Sequence, residues 1–286
     1  FYRGVRIVEK EPKIFVRTLD YRTGLIEVEV EGSRKFRKTL KDFKLWSPEE
    51  PNMTMIEVDG RKVRFGVRQI EARDRKLWLN GKELFLKGVN RHDQSPLGGA
   101  TVPEIEWVQD LQHLKDLGGN FIRGAHYQQA DRFLELCDEM GVLVWEESLG
   151  WGNGQDYTKS VGDFTDPEFR EQQIKQTRDM VRNSFNHPSV IIFSFLNEPG
   201  STTKECKSLI DELIATVKAE NSGRLVTFAC NMGVNDICNE NTDLIAINNY
   251  PGVIPCYPGE PATLRKKVNE SFDEIVASFR TRYPDK

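Results

Sequence analysis

Six short apolar runs, each followed by a longer amphipathic stretch, succeed one another through the second part of the chain. They lie at 84–89, 120–123, 142–145, 190–196, 225–229 and 244–247. Such alternation is the signature of βα units, whose parallel strands are joined by crossover helices. No glycine-rich dinucleotide fingerprint follows any of the runs, so a (β/α)8 barrel is favoured over a doubly wound sheet. Six units are visible where a closed barrel has eight. A helix predicted over 263–282 leaves only a few residues before Lys286, where a seventh strand would begin. The intervening helices carry their own punctuation. Thr101 with Glu104 reads as a capping box with Pro103 in the first turn, and Asp166-Pro167 starts the next long helix. Gly118, Gly119, Gly141 and Gly223 fall just past expected helix ends, where a left-handed residue costs least.

The first 73 residues obey a different period. Ile14, Val16 and Thr18 alternate with other residues, as do Ile26, Val28 and Val30, and no 3.6-residue periodicity appears. Turns are expected at 21–24 and 31–33, and Trp46-Ser47-Pro48 with Pro51 makes a bend that no central strand could contain. A small β-sandwich over 1–73, followed by the barrel over 74–286, is the expected division. Asn80-Gly81 between two apolar stretches is a strong hairpin signal, because both turn residues must take positive φ.

Charge and composition narrow the function. Forty basic residues against forty-four acidic ones leave a net charge of −4, which argues against nucleic acid as a partner. The longest apolar runs fall far short of the roughly 20 residues of a membrane span. Five scattered cysteines (Cys137, Cys206, Cys230, Cys238, Cys256), without a C-x-x-C pair, favour a reducing compartment such as the cytoplasm over a disulfide framework or zinc site. No two histidines stand at ligand spacing, so neither a metal nor another cofactor is expected. The chain begins at Phe1 rather than Met and is read as a piece of a longer one.

In a (β/α)8 barrel the chemistry collects where the strands end. Here the first run opens into Asn90-Arg91-His92-Asp93 and the second into Arg123 and then His126-Tyr127. The third ends at Trp145-Glu146-Glu147 and the fourth at Asn197-Glu198. The fifth reaches Asn231, and the sixth Asn248-Asn249-Tyr250. Amides and acids hydrogen-bond hydroxyl groups, and aromatic faces pack on sugar rings, so the set suits a polyhydroxylated ligand. Taken singly, each has a plainer reading. Polar strand ends begin solvated loops, Arg91 and Arg123 can pair with barrel carboxylates, and Trp145 and Trp151 can be core or platform. The loop 150–165, rich in Gly, Asn and Asp, is long enough to wall a site.

The stretches LWSPEEP, FGVRQIE, LNGKELFLKGVNRHD, NFIRGAHY, LCDEMGVLVWEE, NHPSVIIFSFLNEP, RLVTF and DLIAINNYPG stand in order from Leu45 onward. Together they resemble glycoside hydrolase family 2, the β-galactosidase and β-glucuronidase family. The resemblance implies an immunoglobulin-like sandwich before the barrel and a retaining exo-β-glycosidase acting on a β-linked carbohydrate. It leans to β-glucuronidase, with β-galactosidase as the alternative. It further implies Glu198 as general acid/base and Asn197 as the partner of the substrate 2-hydroxyl. His126 and Asp93 would line the sugar site, Tyr250 would orient the nucleophile, and Glu147 matches a site-lining acid. Ala125-His126-Tyr127-Gln128 stands where the family usually has Ser-His-Tyr-Pro. The family nucleophile, a glutamate ending the seventh strand, has no counterpart here, and the role does not pass to Glu147. A six-stranded piece is expected to be marginal or to associate into a homo-oligomer through its open edges. A carbohydrate-binding barrel without turnover and an unrelated phosphate-binding barrel enzyme are the competing classes.

Overall fold

The computed structural model describes residues 11–154, 164–251 and 261–286. The chain opens with three antiparallel strands, β1 (Ile14–Asp20), β2 (Leu25–Val30) and β3 (Arg34–Thr39), and a hairpin of β4 (Thr54–Val58) and β5 (Arg61–Phe65). The period-2 pattern does the expected work in β2, where Ile26, Val28 and Val30 are buried. These side chains meet Ile56, Val58, Val63 and Phe65 of the hairpin in one apolar cluster. In β1 the alternation fails, since Ile14, Phe15 and Val16 are all buried. Its second face is covered too: Phe15 lies against Phe185, ring centroids 4.9 Å apart. The Asn186 side chain also pairs with the strand's backbone, accepting from Val16 N–H at 2.9 Å and donating to Ile14 C=O at 2.8 Å.

A meander of β6 (Ile70–Arg73), β7 (Lys76–Leu79) and β8 (Lys82–Leu84) leads into the barrel part. Asn80 and Gly81 form the β7–β8 turn with φ of 51° and 75°, as the dipeptide predicts. The parallel sheet runs in the order β13 (Leu225–Thr227), β12 (Val190–Asn197), β11 (Leu143–Trp151), β10 (Phe121–Gly124), β9 (Gly88–Arg91). The first barrel strand thus starts later than the run 84–89 suggests, because Leu84 closes the hairpin. The fifth run is split. Its first half, β13, pairs with β12, and its second half, β14 (Ala229–Cys230), pairs with β15 (Ala246–Ile247). Six barrel positions are therefore occupied in sequence order, and among the described residues no strand lies beyond β9 or β15.

Helices α1 (Glu104–Asp116), α2 (Asp131–Met140), α3 (Pro167–Asn183), α4 (Lys204–Ala219) and α5 (Pro261–Arg282) alternate with these strands. Helix α4 buries Cys206, Leu209, Ile210, Leu213, Ile214 and Val217, one stripe at helical spacing, against Phe193 and Phe195 of β12. Asp166 caps α3 as its sequence suggests, accepting from the Glu168 N–H. The capping box at Thr101 does not form. Pro103 is itself the N-cap, so Glu104 is the first helical residue and bonds Arg132 on α2 instead. The remaining barrel core on the axial side includes Leu143, Trp145 and Ile192 together with Trp46. Trp46, fully buried at the predicted bend, donates its indole N–H to Asp138 C=O at 2.9 Å and so ties the β-rich segment to α2. The four described cysteines are free and buried, and Cys256 lies outside the described residues, as does most of the loop 150–165. Among the described residues no helix is long and apolar enough to cross a membrane.

Candidate active site

The site is built upward from a buried acid. Glu147, on the axial face of β11, is wholly inaccessible. Its carboxylate accepts from Arg123 of β10 through Nε at 3.1 Å and Nη2 at 2.9 Å, from Trp145 Nε1 at 3.1 Å, and from Ser194 of β12 at 3.4 Å. His126 Nδ1 lies 2.7 Å from the other oxygen. A carboxylate can only accept, so Nδ1 carries the proton of that bond and the Nε2 edge is left for the mouth. Glu147 was expected to line the sugar site. It is buried in the barrel interior, and Arg123 and His126 connect it to the mouth. Its neighbour Glu146 points to the opposite face because side chains alternate along a strand. There it is also buried, and desolvation pushes its carboxyl up to about 7.

Arg123 next fixes the orientation of Asn197. Its Nη2 donates to Asn197 Oδ1 at 2.7 Å, and Asn248 Nδ2 donates to the same oxygen at 3.1 Å. A guanidinium can only donate, so the Asn197 amide cannot flip, and its NH2 group is the part left for a ligand. Asn248 makes a second bond, to Glu198 Oε1 at 2.7 Å. Tyr250 O–H donates to that oxygen at 3.0 Å, and Asn231 Nδ2 to Oε2 at 3.1 Å. Glu198 is therefore held by residues from the ends of the fifth and sixth barrel strands.

The backbone is bent to achieve this. Leu196 and Glu198 take φ of 48° and 49°, unfavourable for residues with a Cβ and costing on the order of 1–3 kcal/mol each. Neighbouring strands hold the bend: Glu198 N–H bonds Ala229 C=O at 2.8 Å, and Gly152 N–H bonds Asn197 C=O at 2.8 Å.

Asp93 sits on the other side of the mouth. Arg91 at 3.0 Å and Trp107 Nε1 at 2.9 Å both bond its Oδ1, while Tyr127 O–H accepts from its backbone N–H. His92 is set edge-on to His126, 5.2 Å between ring centroids. Burial, then the charges of His126 and Arg123, hold the His92 ring below the usual imidazole range, which favours its neutral form. Glu198, Asn197, Tyr250, His126 and Glu147 belong to one hydrogen-bonded array, and Asp93 stands beside it. Asn231 and Asn248 had only their place at strand ends to mark them in the sequence. Trp107, in the middle of α1, had no mark at all. Among the described residues no group of three or more His, Cys, Asp or Glu side chains is arranged to hold a metal ion.

Residues 70–274 match the family described as glycosyl hydrolases family 2, TIM barrel domain. The chain belongs to that family. It is 32% identical over 186 residues to the β-glucuronidase of Canis lupus familiaris, covering 65% of this chain and 28% of that enzyme. With the β-galactosidase of Thermoanaerobacterium thermosulfurigenes it shares 35% identity over 166 residues, or 54% of this chain and 22% of that one. Among solved structures, a family 2 β-galacturonidase from Eisenbergiella tayi bound to galacturonate matches with a TM-score of 0.76 and 29% identity, over 95% of this chain and 48% of that one. A β-glucuronidase from an uncultured Clostridium has the same fold, with a TM-score of 0.84 at 22% identity. This family 2 chain thus spans about a quarter of the length of those curated relatives and about half of the solved chains.

Proposed function

We propose that the chain carries the acid/base part of a retaining exo-β-glycosidase site, with a β-glucuronide as its preferred substrate. The observation that carries this reading is the clamp on Glu198, three neutral donors among the described residues on a carboxyl group at the end of β12, with Asn197 fixed beside it. In a retaining mechanism such a carboxyl protonates the glycosidic oxygen as the C1–O bond breaks, then takes a proton from the water that releases the sugar. The attacking carboxylate of that mechanism stands roughly 5–5.5 Å from the acid, and it is assigned to no residue of this chain. Asn197 offers its NH2 to a sugar hydroxyl, and His126 and Asp93 flank the sugar. The Tyr250 hydroxyl reaches Glu198 and so acts on the acid/base as well as on any nucleophile beside it. We also propose the division at residue 73/74, with an immunoglobulin-like sandwich before the barrel.

The lean to β-glucuronidase rests on the stretches around Asn197, Leu225 and Tyr250. The segment 88–93 and the similarity to a β-galactosidase at 35% identity favour the galactoside reading. Hydrolysis of chromogenic β-glucuronide and β-galactoside by the protein at the length of its relatives decides between them. Activity on neither removes the proposal and leaves a carbohydrate-binding barrel. Glu198→Gln should lose roughly 100-fold or more on glycosides with poor leaving groups and much less on activated aryl glycosides. Equal losses on both would mean that Glu198 only holds structure.

A further inference from the structure

A crevice of about 260 Å³ runs along the seam between the β-rich segment and the barrel. Its lining includes Arg17, Arg68, Gln69, Asn186, Ser222 and Arg224. It opens where β12 and β13 begin, so the length of an eight-residue strand, roughly 23 Å, separates it from Glu198.

Arg68 is buried and Arg224 half-buried, and among the described residues neither has an acid in contact. Arg68 donates Nε to Pro188 C=O at 2.9 Å and Nη2 to Val190 C=O at 2.6 Å. Arg224 donates to the carbonyls of Ser222 at 2.7 Å, of His187 at 3.0 Å and of Phe185. Carbonyl dipoles satisfy the N–H groups but cannot cancel two whole charges. Burial holds Arg68 down to about 10, and burial with the nearby Arg68 charge also drives Arg224 well below the usual arginine range. Asp138 is the carboxylate that acts on both, but it is already engaged. It accepts from Ser189 N–H and O–H at 3.0 and 2.6 Å and from His187 at 2.7 Å. Arg17, the third cation of the crevice, is matched by Glu27 at 2.5 Å. Arg68 Nη1 makes no hydrogen bond among the described residues, although the residue is only 6% exposed. It is the polar group available to anything that enters. A buried charge without a partner is costly, and a counter-ion placed beside it offsets that cost.

We propose that this crevice is an anion site that takes one small oxyanion, with two or more oxygens on a single centre, against Arg68 and between Arg17 and Arg224. The planar fork of a guanidinium matches the edge of a phosphate or a carboxylate, and a volume of this size admits such an ion. The site is independent of the glycosidase reading and would join the two parts of the chain across their seam.

The test is thermal unfolding of the chain in rising inorganic phosphate, with acetate in parallel, each against sodium chloride at matched ionic strength and pH. The expected result is a saturable rise in Tm at millimolar anion, roughly 3 °C at tenfold the Kd, for phosphate, acetate or both. The two arms tell the tetrahedral from the planar ion. A general salting effect would rise without saturating. Arg68→Met should abolish the increment. Should that variant not fold, Arg17→Ala, changed at the crevice edge, should reduce the increment at least severalfold. The same Tm in either anion as in chloride, or an increment unchanged in these variants, overturns the proposal.

Discussion

Arg123 donates to the side-chain oxygen of Asn197 across 2.7 Å while the same guanidinium is paired with the wholly buried Glu147. One side chain thus links the buried acid of β11 to the amide that precedes the proposed acid/base. Removing it leaves a carboxylate in the barrel interior without its cation, a change that costs about 3–5 kcal/mol in comparable cases. Arg123→Met should therefore lower Tm by roughly 10 °C. The double variant Arg123→Met, Glu147→Met should recover part of that loss, because an apolar pair no longer buries a charge. Calorimetry on the three variants measures the coupling, and additive losses would show that the pair is not a unit.

Gly141 ends α2 with φ of 71°, and a Cβ there would stand 2.2 Å from the Pro48 carbonyl oxygen. Two costs coincide: a left-handed conformation for a residue with a side chain, and a clash with backbone that cannot swing away. Gly141→Ala should destabilise the chain by about 2 kcal/mol or more in urea unfolding. Gly32→Ala, with φ of 68° and open space around it, should lose less. Equal losses would mean that the approach of Pro48 is unimportant.

His187 lies between Asp131 and Asp138, at 3.1 and 2.7 Å. Burial opposes its charge, yet the hydrogen bonds and attraction of the two acids outweigh burial and raise it to about 9. A folded value above the unfolded one of roughly 6.5 means that the contribution is complete below pH 6.5 and lost as pH climbs through 9. His187→Gln should therefore cost several times more stability at pH 6 than at pH 9.5. Urea unfolding at the two values checks it, and a loss independent of pH would contradict it.

Glu146 has the opposite chemistry and the same direction. Its burial raises a carboxyl to about 7, so the unfolded chain ionises first as pH rises above roughly 4.5. Stability from this group declines between about pH 4.5 and 7 and stays low above that. Glu146→Gln keeps the shape and removes the titration. The variant should gain stability relative to the parent, on the order of a few kcal/mol, as pH passes from 5 to 8. A difference that does not change over that interval would show that the buried carboxyl does not titrate there.

The sequence alone determined the order and kind of the elements. Period-2 alternation in 26–30, the Asn80-Gly81 turn, the Asp166-Pro167 helix start and the series of apolar runs are local patterns set by backbone geometry. They also marked the strand ends, and with them Asn197, Glu198, His126 and Tyr250. Tertiary structure decided what no local pattern carries. Phe15 is covered by Phe185, 170 residues away, and by the Arg182 guanidinium, and Glu104 turns from its own cap to Arg132 because Pro103 delays the helix. The division of labour between Glu146 and Glu147 depends on which face of β11 meets Arg123. The clamp on Glu198 needs side chains from three strands, brought together by burial and by hydrogen bonds that exist only when those strands are aligned.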